Sequence, residues 1–216
     1  AAFTNLTQEH LDYHHDMEGY LAAKMRLFTD IITPGGTAVL NADDALCLKM
    51  AAWSEAKHLC YVTLNPAHPL VKEHIRSGGR ACVLEEGAGG QMITIYNAGA
   101  HIPLLWTHLI PATLDGKAAH NVQNAMFAAA ICYSMDVKLD EIRLGLRTFD
   151  MTYFQAPGRM NVCDDHPFKV ILDYGHNPAA VKGMVALTDR LEPNGKRIVV
   201  VAAPGDRRGQ DITEIA

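Results

Sequence analysis

Apolar positions recur along the chain in two rhythms, and the alternation between them defines the expected elements. Short apolar runs at 37–40, 57–64, 80–84, 92–96, 170–172 and 196–202 suit strands, and Phe3 suits the end of an earlier one. Stretches with apolar residues three and four apart suit helices. These are 16–32 (Tyr20, Leu21, Met25, Leu27, Phe28), 45–56, 70–77, 119–133, 139–146 and 179–191 (Val181, Met184, Val185, Leu187). Strands alternating with helices predict an α/β fold with a mostly parallel sheet. The glycine-rich stretch 86–90 is read as a hairpin turn joining 80–84 to 92–96. A phosphate loop would need a helix start and a Lys-Ser or Lys-Thr after it, and Gln91-Met-Ile-Thr94 offers neither. The prolines in 101–106 and 109–113 mark these as edge-type strands.

The segment 169–181 carries the clearest strand–turn–helix pattern. Val170-Ile-Leu172 is expected to be a parallel strand buried on both faces, with Asp173 at its carboxyl end. Gly175 permits a sharp turn, Asn177 can cap a helix, and Pro178 suits the first helical turn. Residues 196–202 are expected to form a second buried parallel strand, which would aim 205–208 at the same crevice as Asp173. In open α/β sheets, ligands gather at the carboxyl ends of the strands. Asp173 there can accept hydrogen bonds from two ribose hydroxyls, or it can simply cap the turn.

Other polar residues also admit two readings. Asp16 is a plausible cap for 16–32, and Asn41 and Asp43 are read as architectural residues that cap 45–56. Asn121 and Asn124 share one helix face; an amide both donates and accepts, which suits the edge of adenine or a helix cap. Arg159, after the boundary turn 155–158, can span phosphate oxygens, stack on a ring, or form a surface ion pair. His10, Asp12, His14 and His15 lie in a polar loop, 4–15, as metal ligands or solvated residues. Lys24 is by residue type alone a surface lysine.

Bulk properties narrow the field. With 216 residues, the chain can bury one sizeable core, or one domain and part of a second. A net charge of −5 without a basic run argues against a nucleic-acid surface. Five cysteines without a Cys-x-x-Cys pair suggest free thiols in a reducing, cytoplasmic setting. No apolar stretch reaches membrane-spanning length. The chain opens inside a strand pattern and closes inside a helix pattern, so it is expected to be a piece of a larger protein.

Asp173-Tyr-Gly-His-Asn-Pro178, with Ala156-Pro-Gly-Arg-Met160 before it and Ala203-Pro-Gly-Asp-Arg-Arg208 after it, resembles the Mur ligase superfamily of ATP-dependent amino-acid ligases. From about Thr37 onward the wording is nearest the cyanophycin synthetase branch. Thr4-Asn-Leu-Thr-Gln-Glu-His-Leu-Asp-Tyr-His14 with Tyr20-Leu-Ala-Ala-Lys24 resembles the UDP-MurNAc-tripeptide synthetase branch instead. The resemblance implies the second half of an ATP-binding central domain with a small β subdomain over 1–156, and part of a Rossmann-like C-terminal domain over 157–216. It implies ATP and magnesium as cofactors, and as substrates an amino acid and a small molecule or peptide with a free carboxylate. By the same resemblance Asn121 and Asn124 meet adenine, Arg159 and Asp173 meet the nucleotide, and His10 sits at a second magnesium site. Lys24, carbamylated, is a metal-side and catalytic residue, and His176 is catalytic. The family has Asp where this chain has Glu9. The Gly-x-x-x-x-Gly-Lys-[Ser/Thr] phosphate loop occurs nowhere in the sequence; the resemblance places it in a missing N-terminal half, and the alternative is a degenerate, non-catalytic nucleotide-binding module.

Overall fold

The computed structural model describes residues 1–202 and 209–215, so the motif 203–208 lies outside the described residues. In chain order the elements are β1 (Ala2–Phe3), α1 (Leu11–His14), α2 (Met17–Arg26), β2 (Thr37–Asn41), α3 (Ala45–Trp53), β3 (His58–Thr63) and α4 (Pro69–Arg76). There follow β4 (Arg80–Gly87), β5 (Gly90–Asn97), β6 (Ala100–Trp106), α5 (Ala119–Ser134), α6 (Leu139–Thr148), β7 (Asn161–Cys163), β8 (Val170–Leu172), α7 (Pro178–Leu191) and α8 (Gly209–Ile215). They fall into two compact units: Ala1–Leu6 with Leu21–Thr148, and Thr7–Tyr20 with Phe149 onward.

The first unit is built on a six-stranded sheet in the order β1-β2-β3-β4-β5-β6. The first three pairings are parallel and the last two antiparallel. The parallel strands are apolar on both faces: Ala38, Leu40, Val62, Ala81 and Cys82 are fully buried. α5 packs across β2, β3 and β4 through Val122, Met126, Ala129 and Ala130, whose small residues permit close approach. Cys47, Cys60 and Cys82 are buried in this core and all five cysteines are free thiols. Burial pushes the Cys47 and Cys60 thiols up to about 12, which leaves them unreactive. β6 ends the sheet and contains Pro103, consistent with the edge position its proline predicts.

Three local expectations need correction in this unit and its lead-in. The stretch 16–32 is not one α-helix: α2 ends at Arg26 and Leu27–Ile31 winds on as a π-helical turn. The loop 4–15 contains the short helix α1. Residues 109–113 are not a strand but lie in two 3-10 turns, Thr107–Leu109 and Pro111–Thr113. The Thr113 hydroxyl is within donating distance of the Thr107 and Ile110 carbonyls (2.7 and 2.8 Å), which coils the chain. Pro111 fits the first position of such a turn.

The second unit holds the two-stranded antiparallel sheet β7-β8 and the helix α7. Here the burial expectation fails. Val170 is 40% and Leu172 51% exposed, and β8 pairs antiparallel with β7. Residues 196–202 form no strand, and Ile198 and Val200 are both 94% exposed. An apolar run shows which residues favour burial, but a buried strand also needs a neighbour on each edge. β8 has its neighbour in the adjacent hairpin arm, whose closure over a short turn has a small entropic cost.

Two predictions follow from the packing of the first unit. The His74 ring lies under Gly79, its Nε2–H donating to the Leu59 and Arg80 carbonyls at 3.2 and 3.1 Å. A Cβ at Gly79 would stand 2.3 Å from His74 Nε2. Gly79→Ala is expected to cost about 1–3 kcal/mol in urea unfolding, and less in a His74→Ala background. The second concerns Glu85, whose carboxylate accepts from Tyr96 (2.5 Å), Thr94 (2.7 Å) and His101 (3.0 Å). Partial burial pushes this carboxyl up, but the three hydrogen bonds outweigh burial and hold it below its ordinary 4.5. A depressed carboxyl stabilises the fold above its unfolded pKa, and that stability is lost as pH falls through the folded value. Glu85→Gln is therefore expected to be less stable than wild type at neutral pH, with the gap closing below about pH 4. A constant gap across thermal melts from pH 3 to 7 would contradict this account.

Candidate functional site

In the first unit, the polar residues at the strand ends are tied to one another. The Asp44 carboxylate accepts from Leu46 and Cys47 N–H at 2.8 and 3.0 Å, capping α3, and from Leu6 N–H at 3.0 Å. Asp43 accepts from the Thr63 hydroxyl (2.6 Å) and Leu64 N–H (2.7 Å). Asn41 donates to the Thr4 carbonyl at 2.7 Å and accepts from Asp43 N–H at 2.9 Å. This group braces the carboxyl ends of β2 and β3 and the loop after β1; the cap of α3 expected of Asn41 and Asp43 is made by Asp44 instead, the residue next to the helix. Asn121 and Asn124 do share a face of α5: the Asn124 amide donates to Asn121 Oδ1 at 3.1 Å. Asn121 is 8% exposed and donates to the Ala112 carbonyl at 2.8 Å, whereas Asn124 is exposed. The buried amide thus orients the exposed one. Lys24 is exposed in the last turn of α2.

In the second unit, four of the sequence-selected residues come together around the end of β8. The Asp173 carboxylate accepts from Gly175 N–H on one oxygen (2.7 Å) and Met160 N–H on the other (3.0 Å). It therefore does brace the turn, while each oxygen keeps a second lone pair. Gly175 is required by close approach, since a Cβ there would lie 2.9 Å from Asp173 Oδ1. The Arg159 guanidinium stacks over the Tyr174 ring, 4.7 Å from its centre. His176 follows on the same turn, and Asn177 caps α7 by accepting from Ala180 N–H at 2.8 Å. His176 Nε2–H donates to Glu9 Oε1 at 2.7 Å, and the ring's Nδ1 lies 2.9 Å from the Tyr174 carbonyl. His10 Nε2 is 3.6 Å from the same Glu9 oxygen.

Two members of this group escaped sequence reasoning. Glu9 is the first, and its signal was the departure from the family's Asp at that place. Asn161 is the second: 3% exposed, it accepts from Gly158 N–H (2.7 Å) and donates to the Met151 and Ala156 carbonyls (2.7 and 2.9 Å). It holds the Pro157-Gly-Arg159 turn from inside. Nothing in the local pattern distinguishes such an asparagine from an ordinary turn residue.

Magnesium takes oxygen ligands in octahedral geometry. His10 offers nitrogen, Lys24 an amine, and Glu9 is engaged by His176. Among the described residues no group of three or more His, Cys, Asp or Glu side chains is gathered as a metal cage. These residues by themselves do not fit the ion. His10 is also held in a left-handed backbone conformation (φ 57°) at the start of α1, where β-branched residues are strained. We expect His10→Gly to keep unfolding stability within about 1 kcal/mol of wild type, and His10→Val to cost about 1–2 kcal/mol more. Equal stability of the two variants in chemical denaturation would contradict that backbone assignment.

The Mur ligase middle domain model matches residues 1–132, and the Mur ligase, glutamate ligase domain model matches 158–216. Cyanophycin synthetase from Trichormus variabilis is 35% identical over 98% of this chain, which spans 23% of that protein. A UDP-N-acetylmuramoyl-L-alanyl-D-glutamate--2,6-diaminopimelate ligase from Bacillus licheniformis is 34% identical over 96% of the chain, which spans 39% of it. Among solved structures, a UDP-N-acetylmuramoylalanyl-D-glutamyl-2,6-diaminopimelate--D-alanyl-D-alanyl ligase from Acinetobacter baumannii aligns over 86% of this chain and 36% of its own, with a TM-score of 0.52. At 19% identity that likeness shows the fold alone. The family models together span most of the sequence, and the chain belongs to the Mur ligase family.

Proposed function

We propose that this chain is the adenine- and ribose-holding portion of an ATP-dependent acid–amino-acid ligase. The observation that carries the reading is the meeting of Arg159, on the turn before β7, with Asp173, Tyr174 and His176, on the turn after β8, within a chain of this family. In that reading the exposed Asn124, oriented by Asn121, meets the edge of adenine. Asp173 accepts from ribose hydroxyls with its second lone pairs, Arg159 meets phosphate oxygens, and His176 is the charge-handling side chain beside them. The parent reaction passes the γ-phosphoryl group of ATP to a carboxylate, giving an acyl phosphate and ADP. An amine then displaces phosphate and forms the amide. Positioning and charge stabilisation do most of such work. Magnesium at His10 would need oxygen donors beyond this residue set, so no step here is routed through it.

The favoured substrates are aspartate side-chain carboxylates with arginine as the amine, after the cyanophycin synthetases. The stretch 4–14 favours a second reading, addition of a diamino acid or lysine to a nucleotide-linked muramyl dipeptide. Identities of 35% and 34% do not separate the two.

The test is calorimetric titration of the chain with ADP. We expect weak saturable binding, lowered about tenfold by Arg159→Ala and by Asn124→Ala, as for loss of a charged or paired amide contact. We further expect no ligation by this chain alone, since it carries no phosphate-loop motif, and an unmodified Lys24 in its mass spectrum. Absence of ADP binding, or turnover by the isolated chain, would overturn the assignment.

A further inference from the structure

We propose that Glu9 is a positioning residue that fixes the His176 ring, an inference that rests on the nucleotide reading above. The two residues are 167 positions apart in sequence, yet His176 Nε2 and Glu9 Oε1 stand 2.7 Å apart. A carboxylate can only accept, so the contact places a hydrogen on Nε2. The opposite ring nitrogen lies 2.9 Å from the Tyr174 carbonyl. A carbonyl also only accepts, so with its hydrogen on Nε2 the ring is held by Glu9 at that nitrogen and cannot turn without losing that contact. Both side chains are mostly shielded, at 25% exposure for His176 and 20% for Glu9, where a hydrogen bond to a charged group is stronger than in water.

The other Glu9 oxygen accepts from the Asn177 amide at 3.5 Å. Asn177 in turn caps α7. A single carboxylate therefore sets the ring and touches the residue that starts the helix. The choice of Glu has a geometric reason. Its extra methylene extends the carboxylate's reach by about one carbon–carbon bond (~1.5 Å) relative to Asp. His10 Nε2, at 3.6 Å from the same oxygen, is the competing partner and stays the more distant one.

The experiment is long-range proton–nitrogen NMR of the histidine rings in the 216-residue chain, assigned with His176→Ala, together with ADP titration. Glu9→Ala should abolish the protected Nε2–H signal of His176 and lower ADP affinity roughly tenfold, within the range of coupled neighbours. Glu9→Gln, which keeps an acceptor oxygen, should retain that signal in part, and Glu9→Asp should restore less of the affinity than Gln. In a His176→Ala background, Glu9→Ala should add nothing. The Ala180 amide should stay protected from exchange in Glu9→Gln, which separates ring positioning from a loosened helix start. Unchanged His176 ring signals in both Glu9→Ala and Glu9→Gln would overturn the proposal. So would an equal loss of ADP affinity with and without His176. If the wild-type chain does not bind ADP, the nucleotide reading falls, and the ring signals alone still decide whether Glu9 holds His176.

Discussion

Both oxygens of the Asp173 carboxylate are engaged by backbone N–H groups, one from Gly175 on its own turn and one from Met160 thirteen residues earlier. The second bond draws the Pro157-Gly-Arg159 turn against the end of β8. Arg159 reaches the Tyr174 ring because Met160, its neighbour, is tied in this way. Asn161 secures the same turn from its other side. Charge-assisted bonds of this kind contribute about 1.5–3 kcal/mol each. That is comparable to fully burying one large apolar side chain. In a unit whose two-stranded sheet is half exposed, such polar ties have a larger share of the organising work than they do in the first unit.

The first unit reverses that balance. Its sheet interior is closed by Leu40, Val62, Ile93, Ile95 and, from α5, Met126. The polar ties at the strand ends, led by Asp43 and Asp44, are secondary to this burial in energy but decisive in position. A cap contributes about 1 kcal/mol. Its greater effect is to hold the loops after β1, β2 and β3 in fixed relation, because Asp44 ties the loop after β2 to the one after β1 and Asp43 ties it to the one after β3. The same division holds on α5, where apolar packing sets the helix and the buried Asn121 sets the exposed Asn124.

Much of the candidate site could be read from residue type and spacing. The Asn121–Asn124 pair depends only on the helical repeat, and their contact across one turn is local. Asp173 beside Gly175 is a turn whose chemistry lies within three residues. Glu9 with His176 could not be read in the same way, because the contact joins segments with no periodic relation. Local rules reach four residues along a helix or two along a strand.

The sequence by itself determined the alternation of strands and helices, the buried runs of β2, β3 and β4, the edge character of β6 and the cap of α7. Each depends on short-range backbone preference and on a repeat that the chain carries internally. Tertiary structure alone decided the pairing of β8 with β7, the exposure of Ile198 and Val200, the coiling of 107–113 and the union of Glu9 with His176. Burial and long-range hydrogen bonding depend on which surface arrives opposite, and an apolar or polar side chain states a preference without naming its partner.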